Sequence, residues 1–224
     1  MVKMSLSASK SQASSVSTLV ENYGKGMGNI KNALSSLSGN SELSGQAYIS
    51  IKSYGETVVT PLIEAYELYA EAVGKDTKKL PDKFESDVGA DDDPLDSDEL
   101  QAKIDAKKGS IKSMQSQLDG LNKKDKPSSS EKSTISSLNS KIGTANDDLE
   151  KLEEKKRKFI DYNSDSASFF SDISEIEGAL TSGLKTLSVG IGSFSSSKGF
   201  SMPSKKDLEW QKKLETIKLL KNHQ

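Results

Sequence analysis

Val16, Val20, Tyr23, Met27, Ile30, Leu34 and Leu37 recur at alternating steps of four and three residues. A strand cannot use that spacing, whereas a helix gathers all seven on one stripe. Such a stripe is the seam along which one helix lies lengthwise on another, so the segment from about Ser9 to Ser38 is committed to helix-on-helix packing. Gly24, Gly26 and Gly28 interrupt the seam, each costing about 1 kcal/mol of helix propensity against alanine. They read in two ways: as a weakened or kinked helix, or as a groove opened by Gly24 and Gly28 where another helix comes close. On either reading the helix needs a partner.

The periodicity continues from about Glu42 to Val73 through Ala47, Ile51, Tyr54, Val58, Leu62, Ala65, Tyr69 and Val73, a helix that would reach about 48 Å. Pro61 in its middle should bend or divide it, and Gly74 and Pro81 should end it, leaving Phe84 and Val88 as last anchors. The turn between these helices is written in Gly39 and Asn40, which tolerate a left-handed backbone, and in Ser41, which suits a cap. Leu43 then falls in the first turn of the second helix, and Gly45 lets a neighbouring backbone come near.

Further along, Gly89 to Glu99 is an acidic run. Its glycine precedes the acids and a proline comes after them, which is the wrong order for a calcium loop, and the run reads as a solvated linker. Asp96 with Glu99 can cap the next helix. Leu100, Ile104, Ile111, Met114, Leu118 and Leu121 form one seam, and Ile135, Leu138, Ile142, Ala145, Leu149, Leu152 and Phe159 another, with Ser128 and Glu131 as a second capping pair. Together they predict an antiparallel coiled-coil hairpin about 40 Å long. A fifth helix, about Ser164 to Ser188, can return along the first two. Gly190 to Gly199 reads as a joint, and Pro203, Ser204 and Asp207 open a last amphipathic helix, with Trp210 either facing solvent or marking the stub of a further domain.

The fold class is therefore all-α: an elongated multi-helix bundle of long helices with a coiled-coil hairpin. The expected order is a helical pair over residues 1–88, an acidic linker over 89–99, the hairpin over 100–160, a return helix over 161–190, a flexible joint over 191–203 and the final helix or stub over 204–224. A hydrophobic content of 33% in 224 residues is low for a sphere but sufficient for narrow seams. A net charge of −2 argues against a nucleic-acid binder, and the chain has no polybasic anchor for acidic lipid. No run approaches the length of a membrane span, which predicts no stable membrane insertion.

The phrase Leu43-Ser44-Gly45-Gln46-Ala47-Tyr48, continued by Lys52, Tyr54, Val59-Thr60-Pro61-Leu62-Ile63 and later Lys79-Leu80-Pro81, resembles the LXG domain. That domain is the N-terminal export module of toxins that Gram-positive bacteria use in interbacterial competition and send out by type VII secretion. The resemblance implies a non-enzymatic adaptor that assembles in the cytoplasm with small helical WXG-like partner proteins and is presented to the secretion ATPase. It implies secretion without a cleaved signal peptide, and a cargo toxin domain not contained in this sequence. Substrates of that route carry an aromatic residue with an acid four positions later. None of the tyrosines and phenylalanines here has one, so a partner is expected to supply the signal.

On this reading the partner-binding residues are Val16, Val20, Tyr23, Gly24, Met27, Gly28, Ile30, Leu34, Leu37, Leu43, Gly45, Tyr48, Ile51, Tyr54 and Pro61. No catalytic, metal or cofactor site is expected. The chain has no cysteine, and its single histidine, His223, stands beside the last residue, so the common nucleophile–base pairs cannot be built. Two other readings remain: a helical pore-forming toxin, using the mildly apolar stretch from Gly178 to Phe194, and a plain structural coiled coil.

Overall fold

The computed structural model describes residues 1–42, 44–91 and 93–221. The chain is all-α. In order it forms β1 (Lys3–Met4), α1 (Leu6–Gly39), α2 (Gln46–Tyr54), a π-helical turn (Gly55–Val59), α3 (Thr60–Asp87), β2 (Leu95–Asp96), α4 (Ser97–Asn122), α5 (Ser129–Ser166), α6 (Ile173–Gly192) and α7 (Glu209–Lys221). These residues form two compact units, one of residues 1–10 and 80–167, the other of residues 11–79 and 168–224.

The first unit is built on the α4–α5 hairpin. Gln101 meets Lys156, Lys107 meets Asp148 and Lys124 meets Glu131. Residue numbers rise along one helix as they fall along the other, which is an antiparallel register. Leu100, Ile104, Leu118, Leu138, Ala145 and Phe159 are buried along its seam. Both expected caps form: the Asp96 carboxylate accepts from the backbone of Asp98 and Glu99, and Ser128 and Glu131 close a reciprocal capping box. At the base, Phe84 meets Phe159 and Tyr162 edge-on, with ring centres 5.8 and 5.2 Å apart. The acidic run is more than a spacer there. Leu95 and Asp96 pair with Lys3 and Met4, and the Asp93 carboxylate accepts from the Ser7 backbone at 2.9 Å.

The second helix departs from expectation at both ends. It begins at Gln46, behind Gly45 rather than behind Ser41, and it passes through both Gly74 and Pro81 to Asp87. Pro81 deprives the Thr77 carbonyl of its helical donor. Burial of Pro81, Phe84 and Val88 offsets that loss, since each apolar side chain removed from water is worth about 1.5–3 kcal/mol. Pro61 neither ends nor splits the helix. The α-form gives way to one π-turn just before it, and α3 continues without a break. The Thr57 carbonyl, which Pro61 leaves without its usual donor, accepts from Gln211 Nε2 at 2.6 Å.

The core of the second unit lies between α3, α6 and α7. Leu62, Ala65, Leu180, Trp210 and Leu214 form one cluster, and Ala72, Ile176 and Ile217 form another; Leu68 and Tyr69 pack against both. Trp210 is thus a core residue and does not face solvent, because α7 folds back onto α3 and α6. Gly183 makes the approach possible. A Cβ there would stand 2.8 Å from Leu62 Cδ1 and 3.3 Å from the Trp210 ring.

Candidate partner-binding surface

From Ser11 onward α1 runs beside α2 and α3 in the same unit, and close contact is made over two glycines of the opposing helix. Val20 packs on Gly74, where a Cβ would be 3.4 Å from its nearest methyl, and Leu34 packs on Gly55, at 3.3 Å. Lys31 and Glu67 form an ion pair at 3.4 Å between these two points. Val16, Val20, Met27, Leu34 and Leu37 are half-buried on this side. The sequence marked Gly24 and Gly28 as places of close approach, but a Cβ on Gly24, Gly26 or Gly28 would meet nothing within 4 Å. The glycines that admit α1 are Gly55 and Gly74. Sequence reasoning took Gly74 for a terminator and assigned Gly55 no contact.

One edge of the stripe is uncovered: Leu19 is 53% exposed, Tyr23 56% and Ile30 46%. Of the three open glycines only Gly26 falls on that edge, while Gly24 and Gly28 lie on the opposite flank of the helix. Leu19 falls outside the predicted seam. It is missed by a strict four-three count, yet stands one turn before Tyr23 on the same edge.

The turn into α2 is closed by two side chains of α2 itself. Tyr48 donates its hydroxyl to the Leu37 carbonyl, and Lys52 Nζ donates to the Asn40 carbonyl at 3.2 Å while lying 4.7 Å over the Tyr48 ring. A tyrosine and a lysine thus satisfy carbonyls at the end of α1 that have no helical donor. Gly45 caps α2 with φ +111°, a backbone state that glycine adopts without the Cβ penalty. Nothing lies within 4 Å of a Cβ built there. Its need for glycine is therefore conformational, not the close approach that the sequence suggested. Leu43 and His223 lie outside the described residues.

The remaining expected residues divide. Ile51 and Pro61 are half-buried. Tyr54 is 2% exposed and engaged by its own chain: its hydroxyl donates to the Thr186 carbonyl at 2.9 Å, and its ring stacks on Phe200 with centres 4.5 Å apart. Burial pushes its phenol up from the usual range. Tyr54 crosses Gly190 so closely that a Cβ there would fall 1.9 Å from the phenol oxygen. It anchors α2 to α6, so the turn and the α1 stripe stand on a fixed base. No group of acids or histidines able to hold a metal ion occurs among the described residues.

Helix α1 thus carries an apolar stripe that its own chain covers over Gly55 and Gly74 and leaves exposed at Leu19, Tyr23 and Ile30. Comparison with known proteins bears on the kind of chain that carries it. The family model for the LXG domain of the WXG superfamily matches residues 3–197. No curated protein matches the chain.

Proposed function

The chain belongs to the LXG domain family of the WXG superfamily, and from that premise we propose that it is a non-enzymatic export and adaptor module for a type VII-secreted toxin. In the producing cell, small helical WXG-like proteins pack along α1 and the α1–α2 turn, and the complex is what the secretion ATPase receives. Tyr23, Ile30 and Leu19 make the first contacts and Gly26, on the same edge, lets the partner's backbone come near, while Gly24 and Gly28 leave the opposite flank open to a second approach. Gly45, Tyr48 and Lys52 hold the turn, while Val20 and Leu34 hold α1 to its own chain.

The observation that carries this reading is the uncovered stripe itself. Three large apolar side chains in water along one edge of α1, with Gly26 open beside them, support the reading that this edge lacks its neighbour. Since no aromatic-x-x-x-acid signal occurs in the chain, the partner contributes that signal to the complex.

Co-expression with the small helical proteins encoded beside this reading frame tests the proposal. The wild-type chain should co-purify with at least one of them. Tyr23→Glu with Ile30→Glu should abolish co-purification and export together while helicity by circular dichroism is kept. Undiminished co-purification of the double variant would place the partner elsewhere.

A further inference from the structure

From Gly178 to Lys206 the chain carries Lys185, Lys198, Lys205 and Lys206 and not one aspartate or glutamate, although acids slightly outnumber bases overall, 33 to 31. The near-even overall balance hides a local excess of positive charge. The same stretch leaves large apolar side chains in water: Val189 is 67% exposed, Ile191 61%, Phe194 45% and Met202 46%. None belongs to the α3–α6–α7 clusters.

The fold brings the two properties together. Val189, Met202, Lys185, Lys206 and Lys213 line one open concavity at the end of α6. Beyond it the chain makes a short hairpin, closed by paired backbone bonds between Ser195 and Gly199, with Lys198 in its turn. Phe194 leans on Phe200 there, ring centres 4.9 Å apart. The hairpin is fastened to α2, since the Phe200 backbone N–H donates to Ser50 Oγ at 2.7 Å. A Cβ on Gly199, whose φ is +75°, would collide with Ser50. Two carboxylates border the concavity, Asp207 and Glu209. Asp207 accepts from the Ser204 backbone at 2.9 Å and its hydroxyl at 2.7 Å, and its carboxylate also feels Lys206 and Lys185, so it offsets part of the positive charge and leaves Lys198, Lys205 and Lys213 in excess.

Val189 and Met202 beside Lys185, Lys206 and Lys213, with Ile191 and Phe194 exposed on other faces of the same helix end and hairpin, match the boundary of an anionic bilayer. The apolar groups enter the headgroup–acyl border, and the lysines lay their stems along it while their ammonium groups meet lipid phosphates. A neutral helical partner would cover the apolar groups but leave the lysines without countercharge. No described helix is long and apolar enough to cross a membrane, so the chemistry is that of resting on a surface. We propose that the end of α6 and the hairpin after it form a docking surface for an anionic lipid bilayer. This does not rest on the partner reading, because none of these residues lies on α1 or in the α1–α2 turn.

Co-sedimentation of the full chain with vesicles tests it, using phosphatidylglycerol mixed with phosphatidylcholine against phosphatidylcholine alone. The chain should pellet with the first and stay in solution with the second. Val189→Ser, Ile191→Ser and Phe194→Ser combined should release it from the anionic vesicles with circular dichroism unchanged, since all three side chains are exposed. Lys185→Ala and Lys206→Ala should each weaken binding about fivefold, and Tyr23→Glu with Ile30→Glu on α1 should change nothing. Indifference of the wild type to anionic vesicles would overturn the proposal, and so would full binding by the triple serine variant. Release of an entrapped dye would replace docking by pore formation. Loss of a helical partner protein from the triple variant, with vesicles inert, would assign the surface to protein instead.

Discussion

The α4–α5 hairpin and helix α1 are written in the same four-three code, yet one is finished and the other is not. In the hairpin, a loop from residue 123 to 128 delivers the matching seam at once, at small loop-closure cost. Leu100, Ile104, Leu118, Leu138 and Phe159 go into the interface. Beyond Ser11, α1 finds cover on one side only, over Gly55 and Gly74, and Leu19, Tyr23 and Ile30 stay in water. Periodicity says which face of a helix is apolar. Whether the chain itself supplies the cover depends on the helices that pack beside it, and that difference separates a structural seam from an interaction surface.

The contrast predicts its largest effect on stability. Phe159, fully buried against the edge of Phe84, should cost about 3–5 kcal/mol when cut to alanine. Tyr23→Ala, on the bare side of α1, should stay within about 0.5 kcal/mol. Denaturant unfolding of the two variants reads this directly. A loss at Tyr23 comparable to that at Phe159 would mean that α1 is covered by its own chain after all.

The glycines give a smaller and sharper contrast. Gly28 has open space where a side chain would go, so Gly28→Ala should stabilise the isolated chain by up to about 1 kcal/mol through helix propensity. Gly74 lies under Val20, where a Cβ just fits and nothing larger does. Gly74→Leu should therefore destabilise by about 1–3 kcal/mol through overpacking, whereas Gly74→Ala, whose Cβ meets Val20 only at ordinary contact, should not destabilise, because it also gains helix propensity. The two glycines look alike in the sequence, and opposite signs would show that only one of them is a point of helix contact.

The helical class, the hairpin and both caps were legible because each rests on local rules: spacing, a short loop, and a Ser or Asp ahead of an acid. The through-running of α3 was not. Gly74 and Pro81 are local terminators, but burial of Phe84 and Val88 and the contact with Val20 override them, and such contacts lie far away in sequence. Trp210 was misjudged for the same reason, since α7 holds its place only by closing on Leu62 and Leu180. At the candidate site, the seam residues and the turn could be read. Which edge of α1 is bare could not, because that depends on where Gly55 and Gly74 sit in space.

The smallest expected effect sets one carboxyl group from each region against the other. Asp76, on α3 beside α6, is buried. Burial pushes its carboxyl up, the Lys79 ammonium 2.7 Å away pulls it partly back, and the Asp172 carboxyl pushes it up again. Glu131, at the hairpin tip, is held down to about 2 by the Lys124 ammonium and the Ser128 backbone N–H. A raised carboxyl binds its proton more tightly in the folded chain than in the unfolded one, so folding gains as pH falls and that gain is lost as pH rises through the raised value. A depressed carboxyl acts oppositely: its contribution is present above the unfolded value of 4.5 and is lost as pH falls through about 2. Thermal unfolding between about pH 6 and about pH 2 separates the two, with Asp76→Asn and Glu131→Gln removing one titration each. The glutamine also keeps a capping side chain at that position. Relative to Asp76→Asn, the wild type should improve as the solution is acidified. Relative to Glu131→Gln, its advantage should shrink over the same interval. The same sign for both pairs would mean that the Lys79 ammonium outweighs burial at Asp76, and no change for the Asp76 pair would mean that Asp76 is solvated and the α3–α6 contact looser than the hairpin it is being compared with.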